Sequence, residues 1–402
     1  MSSKTTLDAT KSKRRDVETG MLSIEQGSHQ TDIDDSRLPL DFVRKLGQGA
    51  TSLVQEVRDR HTGLTFARKT IRLSNLQQRT ASSTFLKEVQ ALRKLGEHRH
   101  FINVYATYAT KHTIGILLLP VADQGNLNEY LHKYRRLSKD NGAATALQAE
   151  MISVLAKGFG CLANGLAFLH SEQMCHRKIK PHSILVHQDQ LMFADFHSGS
   201  DFASSTPEKK PTVAVFKYFA PEAVDYATMS SMADVYSLGC VFLDVWYAAT
   251  ESLAYSDTGM YATVMRDIHT TLSEKDVLRT GQALSKWHLI PNILKAMTML
   301  EAKDRPTADD LVRQFSEHLG FSCEECGRET KAHGEKMAIS VPIHVPPESL
   351  RESVASNPKP SYYTPWAWSQ ALGKYYRYFI RHDVVEKTEL SDKPGDEQGN
   401  VR

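Results

Sequence analysis

Two glycines, a lysine and a glutamate are the first residues of this sequence whose spacing can do chemistry. Leu46-Gly47-Gln48-Gly49-Ala50-Thr51-Ser52-Leu53-Val54 lies between two strand-like runs. Glycines at such a turn let backbone amides approach a triphosphate without side-chain interference. Fifteen residues beyond Val54, Phe66-Ala67-Arg68-Lys69 ends on a lysine, and Glu88 falls on a following helical stretch, facing back to the strands. A lysine held by a glutamate can meet phosphate oxygens. The same residues also suit an ordinary turn and a surface ion pair, so the loop alone does not decide between them.

These residues need strands and helices to hold them. From Leu38 the chain offers short β-like runs, Leu53 to Arg58, Leu64 to Ile71, Ile102 to Ala109 and Ile114 to Val121, broken by turn residues such as His61-Thr62-Gly63. One helical stretch interrupts them, with Phe85, Val89, Leu92 and Leu95 on one face. After Gly125 the periodicity predicts helices over Leu127 to Tyr134, Ile152 to His170, Met232 to Thr250, Ile290 to Leu300 and Thr307 to Leu319.

The order glycine loop, strand lysine, helix glutamate resembles the small lobe of eukaryotic protein kinases, and later motifs follow in the family's order. The resemblance implies an α+β, bilobal protein-kinase fold with a β-rich N-lobe and a mainly helical C-lobe. It implies ATP and Mg²⁺ as cofactors, with Gly47, Gly49, Val54, Ala67, Lys69, Glu88 and Leu185 around the nucleotide. Leu119-Pro120-Val121 resembles the hinge, with Leu119 as gatekeeper. Pro120 has no N-H, so only its carbonyl can face adenine and Val121 must supply the donor.

Cys175-His176-Arg177-Lys178-Ile179-Lys180-Pro181-His182-Ser183-Ile184-Leu185-Val186 resembles the kinase catalytic loop and departs from it at two chemical positions. Lys178 stands where the family has the aspartate that accepts the substrate proton, two residues before Lys180. Ser183 stands where the family has a magnesium-binding asparagine, leaving it a weak metal ligand. An unperturbed lysine has a pKa of ~10.4 and cannot act as a base at neutral pH. Loss of a positioned general base costs on the order of 10²- to 10⁴-fold in rate.

Ala194-Asp195-Phe196-His197 keeps the family's metal-binding aspartate and loses its glycine, so one Mg²⁺ is expected more than two. Val215 replaces a threonine that pairs with the missing aspartate. Structural positions are better kept: Tyr218-Phe219-Ala220-Pro221-Glu222, Asp234 and Arg305 match the family's bracing residues.

Composition bounds the partners. The 402 residues are 41% hydrophobic and carry 49 basic and 47 acidic side chains, a net charge of +2 that gives no bulk attraction for nucleic acid. Cys161, Cys175, Cys240, Cys323 and Cys326 do not read as a secreted disulfide framework, which points to a reducing compartment, cytoplasmic or nuclear. Neither an N-terminal apolar leader nor the run Ile114 to Ala122 suits secretion or insertion.

Four segments are expected: a disordered arm over 1–37, a kinase-like domain over 38–320, a C-terminal extension over 321–385 and a disordered tail over 386–402. In the extension, Trp368, Leu372, Tyr375, Tyr376 and Phe379 fall on one face of a helix, with Lys374, Arg377 and Arg381 on the other. Packing back on the domain is the preferred role of that face, ahead of a partner groove or an anionic membrane surface. Cys323-Glu324-Glu325-Cys326 has zinc-ligand spacing, but His333 and His344 are distant and no second tight pair exists, so two ordinary thiols are the plainer reading. Ser200, Ser204, Ser205, Thr206 and Thr212 decorate the activation segment, where a phosphate could meet Arg177.

Together these residues describe a pseudokinase that binds ATP and acts through an unidentified protein partner. The alternatives are an active Ser/Thr kinase with adapted chemistry, and a scaffold that binds no nucleotide.

Overall fold

A computed structural model describes residues 21–49, 52–72, 89–90, 92–141, 146–195, 217–223, 230–250, 260–272 and 287–328, and the backbone of four C-terminal strands within 362–391. The chain divides into two bodies, 1–210 with 318–323, and 211–317 with 324–402.

The first body is built on a six-stranded sheet in the order β1-β5-β6-β4-β3-β2. Its strands are β1 (His29–Gln30), β2 (Leu40–Gln48), β3 (Ser52–Asp59), β4 (Thr65–Arg72), β5 (Asn103–Ala109) and β6 (Thr113–Leu119). Those foreseen from alternation begin and end within two residues of their observed limits, because alternating apolar side chains cover both faces. Val57, Phe66, Ala106, Tyr108 and Leu117 fill one face, and Val89, Val104, Ile114 and Ile116 the other. An irregularity between Val104 and Ala106 lets β5 serve both faces.

The expectation of disorder over 1–37 is corrected for its second half. Ile24 and Leu38 are buried in the sheet's core. β1 pairs in parallel with β5, and His29 Nδ1 lies 2.8 Å from Thr107 Oγ1. Composition misses this because one isoleucine and a two-residue strand are too little to register in a polar segment, yet suffice on a preformed sheet edge.

Below the sheet strands come α1 (Leu127–Asn141) and α2 (Ala146–Ser171), then the hairpin β7 (Ile184–His187) and β8 (Gln190–Phe193). α2 is long and apolar enough to cross a membrane by length and composition, but its residues from Gly158 to Ala163 are all buried, as in a soluble core helix. A Cβ at Gly158 would lie 2.3 Å from Leu191 Cδ1, so the helix approaches β8 closely only because this residue has no side chain. The domain boundary foreseen at 320 cuts through packed chain: Phe321 is buried, and its carbonyl accepts from Gly160 N-H at 2.7 Å.

The second body holds α3 (Ser231–Ala249), α4 (Tyr261–Thr271), α5 (Ile290–Met297) and α6 (Ala308–Ser316). α3 is buried along its length from Ala233 to Ala249 and is capped by Ser230, whose hydroxyl accepts from Ala233 N-H. α6 starts with a capping box between Thr307 and Asp310.

The C-terminal aromatic segment is not a helix. β9 (Tyr362–Tyr363), β10 (Ala367–Ser369), β11 (Lys374–Arg381) and β12 (Val384–Ser391) form an antiparallel sheet centred on β11. Lys-Tyr-Tyr-Arg-Tyr-Phe-Ile-Arg is rich in aromatic residues, which prefer a pleated strand, and its last residue, Arg381, pairs with Val384 of β12. β12 runs to Ser391, so regular structure continues past the start of the tail foreseen at 386.

Candidate functional site

The sheet, the hairpin and the loop before it bring three charged side chains to one point. Lys69 is fixed in the middle of β4 by pairing with Val54 of β3 and Ile116 of β6. Lys178 lies in the loop between α2 and β7, and Asp195 lies two residues after β8. Lys69 Nζ stands 2.6 Å from Asp195 Oδ1, and Lys178 Nζ stands 2.7 Å from Asp195 Oδ2. Each carboxylate oxygen therefore has its own ammonium.

Burial alone would raise the Asp195 pKa. The two adjacent cations override that and hold the carboxyl well below its usual range. Lys180 is shifted down by its burial and by the neighbouring Lys178, with Asp195 opposing. The cluster is thus two cations on one anion, with a third ammonium close enough to feel both.

The loop carrying Lys178 is held by its own backbone. The Lys178 N-H donates to His176 Nδ1 at 3.3 Å. Ser183 Oγ accepts from Lys180 N-H at 3.1 Å and lies 2.7 Å and 2.9 Å from the carbonyls of Lys178 and Lys180. Its residue is fully buried. Ser183 thus accepts one backbone N-H and gives its hydrogen to backbone carbonyls, which ties its hydroxyl to the loop. Sequence reasoning assigned it a weak metal role because it reads position, not commitment.

Arg177 and Asp195 both adopt positive φ, 63° and 57°. Such backbone is uncommon for residues other than glycine, and here it flanks Lys178 and falls on its ion-pair partner Asp195.

The remaining sequence-derived residues that are described belong to the same body. Gly47 lies near the end of β2 and Gly49 just beyond it, where the Gly49 N-H donates to the carbonyl of Ser52 in β3 at 2.8 Å. Ala67 is buried, and Val54, Leu119, Pro120, Val121 and Leu185 are half-buried. Leu185 is bridged to Asn126, just beyond the hinge-like stretch. Glu88, Phe196, His197, Val215 and the activation-segment serines and threonines lie outside the described residues.

In the second body Arg305 binds Glu222 in a two-pronged pair, 2.7 Å and 2.8 Å. It also donates to the carbonyls of Met232, Met299 and Leu300. This joins the Ala-Pro-Glu stretch to the start of α3 and the chain after α5. The protein kinase domain family matches residues 40–315.

The chain belongs to the protein kinase superfamily.

Mouse and rat cyclin-dependent kinase 4 are each 29% identical to it over 212 residues, which cover 51% of this chain. The match spans 66% of the length of those relatives. Members of this superfamily generally use ATP and Mg²⁺, the metal ions bridging phosphate oxygens and neutralising developing charge. The residues here fit the two parts of that pair differently. Two ammonium groups, each with three N-H donors and only one engaged by Asp195, suit triphosphate oxygens. A magnesium ion demands several oxygen ligands, and here each Asp195 oxygen already faces an ammonium with which the ion would compete.

Proposed function

We propose that this protein is a pseudokinase that holds a nucleotide triphosphate with lysines, with magnesium dispensable, and acts by presenting a conformation to a protein partner. The observation that carries this reading is the Lys178 ammonium 2.7 Å from Asp195 Oδ2. At the place of the family's proton acceptor there is a cation already committed to the metal-binding carboxylate.

The chemistry follows from the charges. A group that is protonated and bound to an anion cannot take a proton from a substrate hydroxyl. Among the described residues Lys69 and Lys178 each meet one Asp195 oxygen, which leaves N-H donors for phosphate oxygens, and two cations beside one carboxylate favour an anion there. Adenine would rest against the apolar residues Ala67, Val54 and Leu185, with Val121 supplying the backbone donor. Conformational signalling would then come from the ordering of these elements around the nucleotide.

We place its work in a reducing compartment, cytoplasmic or nuclear, because the spacing of the five cysteines does not suit a secreted disulfide framework.

Two measurements test the reading. Thermal unfolding with ATP should rise as much in EDTA as in excess Mg²⁺, since a ligand that binds only the folded chain raises its apparent stability. No shift at millimolar ATP under either condition would leave a scaffold that binds no nucleotide. Radiolabel transfer from ATP to the chain itself and to generic substrates should stay at background in the wild type. Robust labelling that Lys69→Ala abolishes would establish an active kinase instead.

A further inference from the structure

Away from the lysine cluster, three side chains in the first body converge that the proposed function does not use. We propose that His100, Cys161 and Cys323, joined by Cys326, form a structural zinc site that ties the end of the kinase domain to its long core helix.

The three residues come from three places: His100 from the turn before β5, Cys161 from the middle of α2, and Cys323 from the chain after α6. Their ligand atoms all lie within 4.8 Å of one another. His100 Nε2 is 3.6 Å from Cys323 Sγ. A zinc ion with Zn–S of about 2.3 Å and Zn–N of about 2.0–2.1 Å at a tetrahedral angle requires a sulfur–nitrogen edge of about 3.6 Å.

The histidine is oriented as a ligand must be. Its Nδ1 lies 2.8 Å from the Leu191 carbonyl oxygen, which can only accept, so Nδ1 carries a hydrogen and Nε2 is left facing the sulfurs. A zinc-binding histidine characteristically donates its other nitrogen to such a partner. One sulfur is likewise supported, because the Cys323 backbone N-H donates to Cys161 Sγ at 3.2 Å. His100 and Cys161 are buried, as a closed structural site requires.

Cys326 enters by chain connectivity. It follows Cys323 by three residues on the helical residues 324–328, and its side chain is buried. Two cysteines in C-x-x-C spacing on one turn grip a single zinc, and three thiolates with one imidazole make a familiar closed ligand set. None of these cysteines is in a disulfide.

The packing around the site explains why Cys323 arrives there. Phe321 sits against Phe159 with ring centroids 6.0 Å apart, and its carbonyl holds Gly160 N-H. Zinc would lock this return of the chain onto α2. Sequence reasoning saw only the Cys323/Cys326 half and looked for partners at His333 and His344, which lie outside the described residues. The partners His100 and Cys161 come from far earlier in the chain.

The test uses the full chain, purified under reducing conditions. Elemental analysis should find one zinc per chain. Protein produced in cobalt-supplemented medium should show intense thiolate-to-cobalt charge transfer and the d–d bands of a tetrahedral site. Cys161→Ser and Cys323→Ser should each lose the metal, whereas Cys175→Ser should keep it. If the substituted chains do not fold, the cobalt spectrum of the wild type decides by itself. Absence of both stoichiometric zinc and the cobalt charge transfer would overturn the assignment. So would iron with sulfide in place of zinc, or full metal content in Cys161→Ser and Cys323→Ser.

Discussion

The Lys69–Asp195–Lys178 cluster and the Glu222–Arg305 pair are both opposite charges at about the same separation, 2.6 to 2.8 Å, yet they do different work. In the pair, the Arg305 side chain is fully buried and also satisfies three backbone carbonyls. Its charge has no use outside the fold. In the cluster, the side chains are 23% to 38% exposed, and among the described residues two cations face one anion. Charge there is left over for a ligand. One region is closed within the fold and the other keeps exposed charge, so the two have separable requirements.

The comparison is broken most directly at the buried pair. Arg305→Leu should leave Glu222 and three carbonyls without their donor and destabilise the chain by roughly 3–5 kcal/mol, measured by denaturant unfolding. A loss below about 1 kcal/mol would mean the pair is not bracing the second body.

Next in size is the ligand side of the cluster. Lys178→Met should weaken ATP binding in EDTA by about tenfold or more, since a charge-assisted hydrogen bond is worth ~1.5–3 kcal/mol. The same change releases Asp195 Oδ2, so calorimetry should now find binding strengthened by Mg²⁺. Unchanged affinity in EDTA would remove Lys178 from the phosphate site.

The cluster should also leave a signature in acid. The folded Asp195 pKa lies below its unfolded value. Between the two values the unfolded chain binds the extra proton, so this group's stabilisation is present above about pH 4 and is lost as pH falls below it. The stability difference between wild type and Asp195→Asn should therefore shrink on acidification. A difference independent of pH would argue that the lysines do not depress Asp195.

The smallest effect belongs to an exposed pair that shares the geometry of the other two. Arg44 and Glu56 face each other across β2 and β3 at 2.6 Å, with the Arg44 side chain 58% exposed. Arg44→Ala should cost less than about 1 kcal/mol and less still in high salt. A larger cost would show that burial is not what separates these ion pairs.

Much of the fold was legible because it rests on local patterns. Alternation over residues 53–58, 64–71 and 102–109 and helical periodicity from Leu127 onward specify elements by which face is apolar. Lys178, Ser183, Lys69 and Asp195 were legible as a site because motif order fixes their place. Patterns were misread where one composition suits two periods, as in the segment from Tyr362 to Phe379, whose aromatics line up on a helix wheel and form strands instead. A two-residue strand such as His29–Gln30 has no pattern of its own and forms on an edge that other residues build.

By itself the sequence determined the kinase-type fold and the presence of a lysine at residue 178, because side-chain type and spacing decide both. Only the tertiary structure decided where the Lys178 ammonium goes, that Ser183 is spent on its own loop, and that His100 and Cys161 meet Cys323. Those are distances between residues remote in the chain or directions of single groups. They exist only once packing has fixed the backbone, and no local pattern carries them.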